Sequence, residues 1–119
     1  MNAAVLIIRF AVPGWHCWPR APRARAYLGH RHRHLFHVEV RIAVPNDERA
    51  VEFHDLRDFA AGEFERMGSP VPGGVEFDDR SCETLARLLG SKVAAQYGRA
   101  VDVAVLEDGE FGATVCVGP

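Results

Sequence analysis

Four of the chain's six histidines fall within eight residues, in the run Gly29-His30-Arg31-His32-Arg33-His34-Leu35-Phe36-His37-Val38-Glu39-Val40. Neutral imidazole is a common ligand for zinc, and three converging imidazoles leave one coordination position open for substrate or water. The run then alternates apolar and polar side chains, the pattern of a strand. On a strand, alternate side chains share a face, so His32 and His34 point the same way, ahead of Phe36, Val38 and Val40. A third donor must come from elsewhere, and His16, in Pro13-Gly14-Trp15-His16-Cys17-Trp18, is the obvious one. His30 and His37 are alternatives. His30 shares the parity of the pair only if the strand reaches that far, whereas His37 faces the other way, as a surface or intersubunit residue.

Other residues carry two readings each. Cys82 opens a helical run, where the helix N-terminus favours a reactive thiolate. It also precedes Leu85 by three and Leu89 by seven, and so continues that helix's buried stripe. Cys17 is a metal-proximal thiol beside His16, or a side chain packed between Trp15 and Trp18; Cys116, in the last strand, reads as buried. His54 and Asp55 form either a proton relay or a helix cap. Arg20, Arg23, Arg25, Arg31 and Arg33 crowd the approach to the histidines, as a solvated basic loop or as a rim that attracts a phosphorylated ligand.

The elements that must position these groups follow from periodicity. Ala3 to Val12 reads as a strand that stops at Pro13-Gly14, Trp15 to Gly29 as a long loop, and His34 to Val44 as a second strand pairing antiparallel with the first. Leu56, Phe59, Ala60, Phe64 and Met67 recur at helical spacing, which predicts an amphipathic helix over 54–67. Gly68 to Gly74 is a breaker. A second helix runs from Ser81, a plausible N-cap, to Tyr97, with Leu85, Leu88, Leu89, Val93 and Tyr97 inside, and ends at Gly98. Val101, Val103 and Val105 alternate with Asp102, Ala104 and Leu106, and Asp108-Gly109 marks a hairpin into Phe111 to Val117. The order strand, strand, helix, helix, strand, strand predicts an α+β domain, with two helices on one face of a four-stranded antiparallel sheet.

The 119 residues suffice for one domain, 1–119, and the 48% hydrophobic content is that of a folded chain. A formal net charge of -2 gives no case for nucleic-acid or membrane partners. Three cysteines without paired spacing make a disulfide framework unexpected and point to a reducing, cytoplasmic compartment. Ala3 to Phe10 is too short to span a membrane, and Arg9 with Pro13-Gly14 argues against a signal peptide.

That element order, with a histidine pair opening the second strand, resembles the 6-pyruvoyltetrahydropterin synthase and 6-carboxytetrahydropterin synthase family. His32-Arg33-His34-Leu35-Phe36-His37-Val38-Glu39-Val40 is similar to that family's His-Gly-His-Asn-Tyr-x-Val-x-Val. Phe10-Ala11, followed by His16, resembles its Phe-x-Ala-x-His with an insertion. Val51-Glu52-Phe53 resembles its hydrophobic-acid-Phe segment, with Glu for Asp. Ser81-Cys82-Glu83-Thr84-Leu85-Ala86 resembles Thr-x-Glu-Asn-Leu-Ala, and Val103-Ala104-Val105-Leu106-Glu107 resembles Val-x-Val-x-Glu.

The resemblance implies a tunnelling fold, a homo-hexamer of two trimeric barrels with sites between subunits, and zinc held by His16, His32 and His34. It implies that Glu107, with Ser81 and Glu83 nearby, binds a pterin or purine-derived substrate. A carboxylate can accept two parallel N–H bonds from a 2-amino-4-oxo ring as it does from arginine. The bland readings are that Glu107 is an exposed hairpin carboxylate and that Glu83 merely suits the helix dipole. The implied activity is a zinc-dependent lyase of tetrahydropterin or 7-deazaguanine precursor metabolism, the arginine loop receiving a triphosphate leaving group. Two family elements have no counterpart. Leu28 stands where the catalytic cysteine would be, and Gly68 to Gly74 replaces the Leu-Asp-His relay segment. Cys82, His54 and Asp55 are the substitutes the sequence offers for proton transfer, and a non-catalytic pterin- or purine-binding protein is the alternative.

Overall fold

Two long strands with matching alternation form the centre of the sheet. The computed structural model describes residues 4–119; Ala3, the first residue of the expected strand, lies outside them. β1 (Ala4–His16) and β2 (His32–Val44) pair antiparallel along their whole length, from Ala4 opposite Val44 to His16 opposite His32. α1 (Phe53–Arg66) follows, then two short strands, β3 (Ser69–Val71) and β4 (Gly74–Glu76). α2 (Cys82–Tyr97), β5 (Val101–Glu107) and β6 (Phe111–Val117) complete the chain. The sheet order is β3-β4-β1-β2-β5-β6, antiparallel except where β4 joins β1 at Gly14 and Trp15.

The α+β class and the helices are as expected, but the sheet has six strands, not four. The additional pair, Ser69–Val71 and Gly74–Glu76, arises in and just past the segment Gly68 to Gly74, expected to be only a breaker. Its turn places Gly73 at φ 81° and Gly74 at φ 154°, and a Cβ on Gly74 would lie 2.1 Å from the Pro13 carbonyl oxygen. Only glycine lets the two backbones meet there. β1 also runs four residues past the expected stop at Val12. At Pro13 it has β2 on one side, and β4 joins only from Gly14, so the missing proline N–H falls on a locally open edge. β2 begins at His32, two residues earlier than expected. The intervening loop is correspondingly shorter, and Arg23–Gly29 winds into 3-10 turns, tied back where the Trp18 N–H donates to the Leu28 carbonyl at 2.7 Å.

Both helices cover one sheet face. Ile8 and Val12 of β1, Phe36, Val38, Val40 and Ile42 of β2, and Val101, Val103 and Val105 of β5 are buried against Leu56, Ala60 and Phe64 of α1 and Leu85, Leu89 and Val93 of α2. Glu52 caps α1 by accepting from the His54 and Asp55 N–H groups, and Ser81 caps α2 by accepting from Thr84. Gly98 closes α2 at φ 64°. Two expected core residues lie outside it: Leu88 is 42% exposed, because it sits on the side of α2 away from the sheet, and Cys116 is on the uncovered sheet face.

Candidate metal centre

The register of β1 and β2 builds the site. His16 lies opposite His32, and His34 lies opposite Gly14, on the same face as Val12 and Phe36. The three imidazoles therefore extend the core stripe beyond its apolar end. One nitrogen from each ring can be chosen so that all three lie within 4.8 Å of one another. His16 is buried and its ring packs edge-on to Phe36, with centroids 5.2 Å apart.

Every ring is fixed through Nδ1. His16 Nδ1 donates to the Arg80 carbonyl at 2.9 Å, His32 Nδ1 to the His30 carbonyl at 2.8 Å, and His34 Nδ1 to Asp108 Oδ2 at 2.7 Å. Carbonyl and carboxylate oxygens only accept, so each neutral ring carries its proton on Nδ1 and keeps a lone pair on Nε2. Metal-binding histidines commonly show that arrangement, the nitrogen that does not bind the ion donating to an oxygen. Burial holds the His16 pKa below the ordinary imidazole value, against the opposing effects of the Arg80 carbonyl and Glu107, which favours the neutral ring that binds metal.

Glu107 is paired in register with Phe36, which brings its carboxylate against the histidines. Oε2 lies 3.1 Å from His16 Nε2 and Oε1 lies 3.3 Å from His34 Nε2. His34 Nε2 is buried and has no hydrogen-bond partner among the described residues; its contact with Glu107 has the distance of an ion pair without hydrogen-bond geometry. Lone pairs thus face a carboxylate, an arrangement that a cation among them would relieve. An orphaned buried nitrogen, three tautomers set the same way and an adjacent carboxylate all fit a divalent metal ion. His16, His32 and His34 are the residues that would hold it.

A cleft of 380 Å³ opens beside His16 and His32. Ser81, Cys82, Glu83 and Glu107 line it, together with Leu28. The structure therefore brings together the three histidines and four of the six other candidate residues. The Ser81 hydroxyl is engaged in the α2 cap, accepting from the Thr84 N–H and donating to Thr84 Oγ1, both at 3.1 Å. Cys82 is buried and its thiol donates to Glu107 Oε2 at 3.7 Å. Burial, reinforced by the Glu107 charge, pushes that thiol up to about 12, so it stays protonated despite its place at a helix N-terminus. His54 and Asp55 stand elsewhere. They open α1, with His54 Nδ1 2.7 Å from Glu52, and His54 lines a groove with Ala4 and Val44 at the opposite end of the β1–β2 ribbon.

Neither alternative histidine joins the cluster. His30 contributes its carbonyl, and His37 is on the other sheet face, beside Gly109. Arg31 and Arg33 stack over Trp15, at 4.5 and 5.4 Å from the ring centroid, on the ribbon face opposite the histidines, and Arg31 also pairs with Glu76. Sequence reasoning did not anticipate the ring-holding roles of Asp108, Arg80 and the His30 carbonyl. The one available signal was the carboxylate directly after Glu107. No protein-family model matches the chain, and no curated protein matches it.

Proposed function

We propose that this chain is a zinc-dependent, lyase-like enzyme acting on a pterin or related purine-derived metabolite, in the manner of the 6-pyruvoyl- and 6-carboxytetrahydropterin synthases. The observation that carries the reading is the cluster of three imidazoles, each engaged through Nδ1, beside a cleft that His16, His32 and Glu107 line. Bound zinc supplies a Lewis acid that polarises a substrate hydroxyl or carbonyl. Glu107 accepts from the ligand's amino and ring N–H groups, and Glu83 flanks the cleft at the start of α2. The arginines of the 3-10 loop offer charge to a phosphorylated substrate.

A second reading, a pterin- or purine-binding protein without catalysis, is favoured by specific residues. Leu28 supplies no thiol, Cys82 is a buried thiol rather than a thiolate, and His54 with Asp55 is at the far end of the ribbon of the same chain. Zinc-loaded protein incubated with dihydroneopterin triphosphate and followed by mass spectrometry separates the two. Loss of the triphosphate with formation of a new pterin supports the enzyme. Calorimetric binding without turnover supports the binder, and neither turnover nor binding contradicts both.

We further propose a homo-hexamer of two trimeric barrels. Among the described residues, the outer edge of β6 is unpaired, and so is the edge of β1 away from β2 over Ala4–Val12; edge pairing between copies would close a ring. A cytoplasmic location is the compartment that three free cysteines favour. Among the described residues, no helix is long and apolar enough to cross a membrane.

A further inference from the structure

We propose that Asp108 is the positioning residue of the metal centre: it holds the proton of His34 on Nδ1 and so aims the Nε2 lone pair at the ion. The proposal rests on the metal reading of the three histidines. Two of the rings are held by main-chain carbonyls, of Arg80 and His30, and only His34 is held by a side chain. Asp108 is itself fixed at three points. Its Oδ2 accepts from His34 Nδ1 at 2.7 Å, its Oδ1 accepts from the Leu35 N–H at 2.9 Å, and its own N–H donates to the Leu35 carbonyl at 2.8 Å.

An aspartate here has an ordinary explanation. Asp108 and Gly109 both have left-handed backbone, at φ 55° and 72°, and Asp-Gly is a favoured hairpin turn. Asn-Gly serves that turn equally well, so the turn does not require a carboxylate. His34 does. A carboxylate offers only acceptors to Nδ1 and to the Leu35 N–H. An amide in the same place, with its oxygen taken by Leu35, would turn its NH₂ toward Nδ1. The imidazole would then carry its proton on Nε2, where it blocks the metal. The negative charge also raises the basicity of the ring it holds, as in other carboxylate–histidine–metal arrangements.

The test compares the parent with Asp108→Asn and Asp108→Gly, both compatible with the turn. Zn²⁺ and Co²⁺ affinity, the Co²⁺ visible spectrum, the thermal stability of the metal-free protein and the imidazole ¹⁵N spectrum of His34 are measured. Both variants should keep the metal-free Tm while metal affinity falls roughly 10- to 100-fold. The Co²⁺ bands should shift, and the Asn variant should show the proton moved to Nε2. Unchanged affinity and tautomer in both variants would overturn the role of Asp108 while leaving the metal centre standing. A drop in metal-free stability with unaltered tautomer would reduce Asp108 to a turn residue, and so overturn the proposal as well. A parent that binds neither metal would remove the centre, and the role of Asp108 with it.

Discussion

At His34 each imidazole nitrogen faces a carboxylate, Asp108 at 2.7 Å from Nδ1 and Glu107 at 3.3 Å from Nε2. The two consecutive acids do different work. Asp108 orients the ring, and Glu107 faces the cleft and the remaining lone pairs. Glu107→Gln removes the charge and one acceptor from the ligand's N–H edge. Charge-assisted hydrogen bonds contribute about 1.5 to 3 kcal/mol, so pterin affinity, read by calorimetry, should fall roughly 10- to 100-fold while zinc content stays the same. Equal affinity in the variant would remove the anchoring role. Cys82 gives a pH signature. Its folded pKa is raised from 9.0 to about 12, so the folded state retains a proton that the unfolded chain loses. That contribution is complete below pH 9 and is lost as the pH rises from 9 to 12. Denaturant titrations should show stability declining across that window, and Cys82→Ala should flatten the decline; an identical slope in both proteins would contradict the assignment. The His32 and His34 pair was legible in the sequence because strand parity is local, whereas His16, expected in the long loop, reaches them because β1 runs on to lie opposite His32. The Nδ1 partners were not, since two are loop carbonyls and the third is set by the β5–β6 turn.

At the scale of elements, a glycine and a hairpin shape the site. Gly14 lies across from His34, and a Cβ there would sit 2.7 Å from the buried Phe77 ring. Phe77 packs on Phe36, whose ring packs on His16 and His34, so a displaced Phe77 reaches the metal ligands through one intervening ring. Gly14→Ala should therefore destabilise the fold by about 1 to 3 kcal/mol, the usual range for overpacking a core, and should also weaken zinc binding. Thermal melts and zinc titration check this, and an unchanged melt with unchanged affinity would refute the coupling. Ser81→Ala, by contrast, should cost about 0.5 to 2 kcal/mol through loss of the helix cap and leave zinc affinity intact. A zinc affinity that falls with it would place Ser81 in the metal centre instead. The long elements were readable because their periods extend over many residues. β3 and β4 have three residues each, too few to show a period, and their pairing depends on the close approach of Gly74 to Pro13. Leu88 fits the apolar pattern of α2, yet the side of the helix that bears it is exposed, and Cys116 alternates with the inward Ala113, Val115 and Val117 and so falls on the other face.

The described residues form an elongated body. Its radius of gyration is 15.2 Å, against about 13.5 Å for a compact domain of this length. One sheet face carries exposed Val5 and Ile7 without covering elements, and β6 presents an edge of seven residues with no charge or proline. Such edges pair with other chains. Sedimentation at micromolar concentration should show a hexamer, and Thr114→Lys with Cys116→Lys on β6 should yield smaller species; a monomeric parent would contradict the barrel. The hexamer is an expectation from the family resemblance, because no single strand reveals which edge stays open. The centre itself is tested most directly by metal content. Protein refolded with zinc and dialysed should retain one zinc per chain by mass spectrometry of the metal, and the double variant His32→Ala/His34→Ala should retain none. A parent that holds no zinc, or a double variant that holds as much as the parent, would contradict the account.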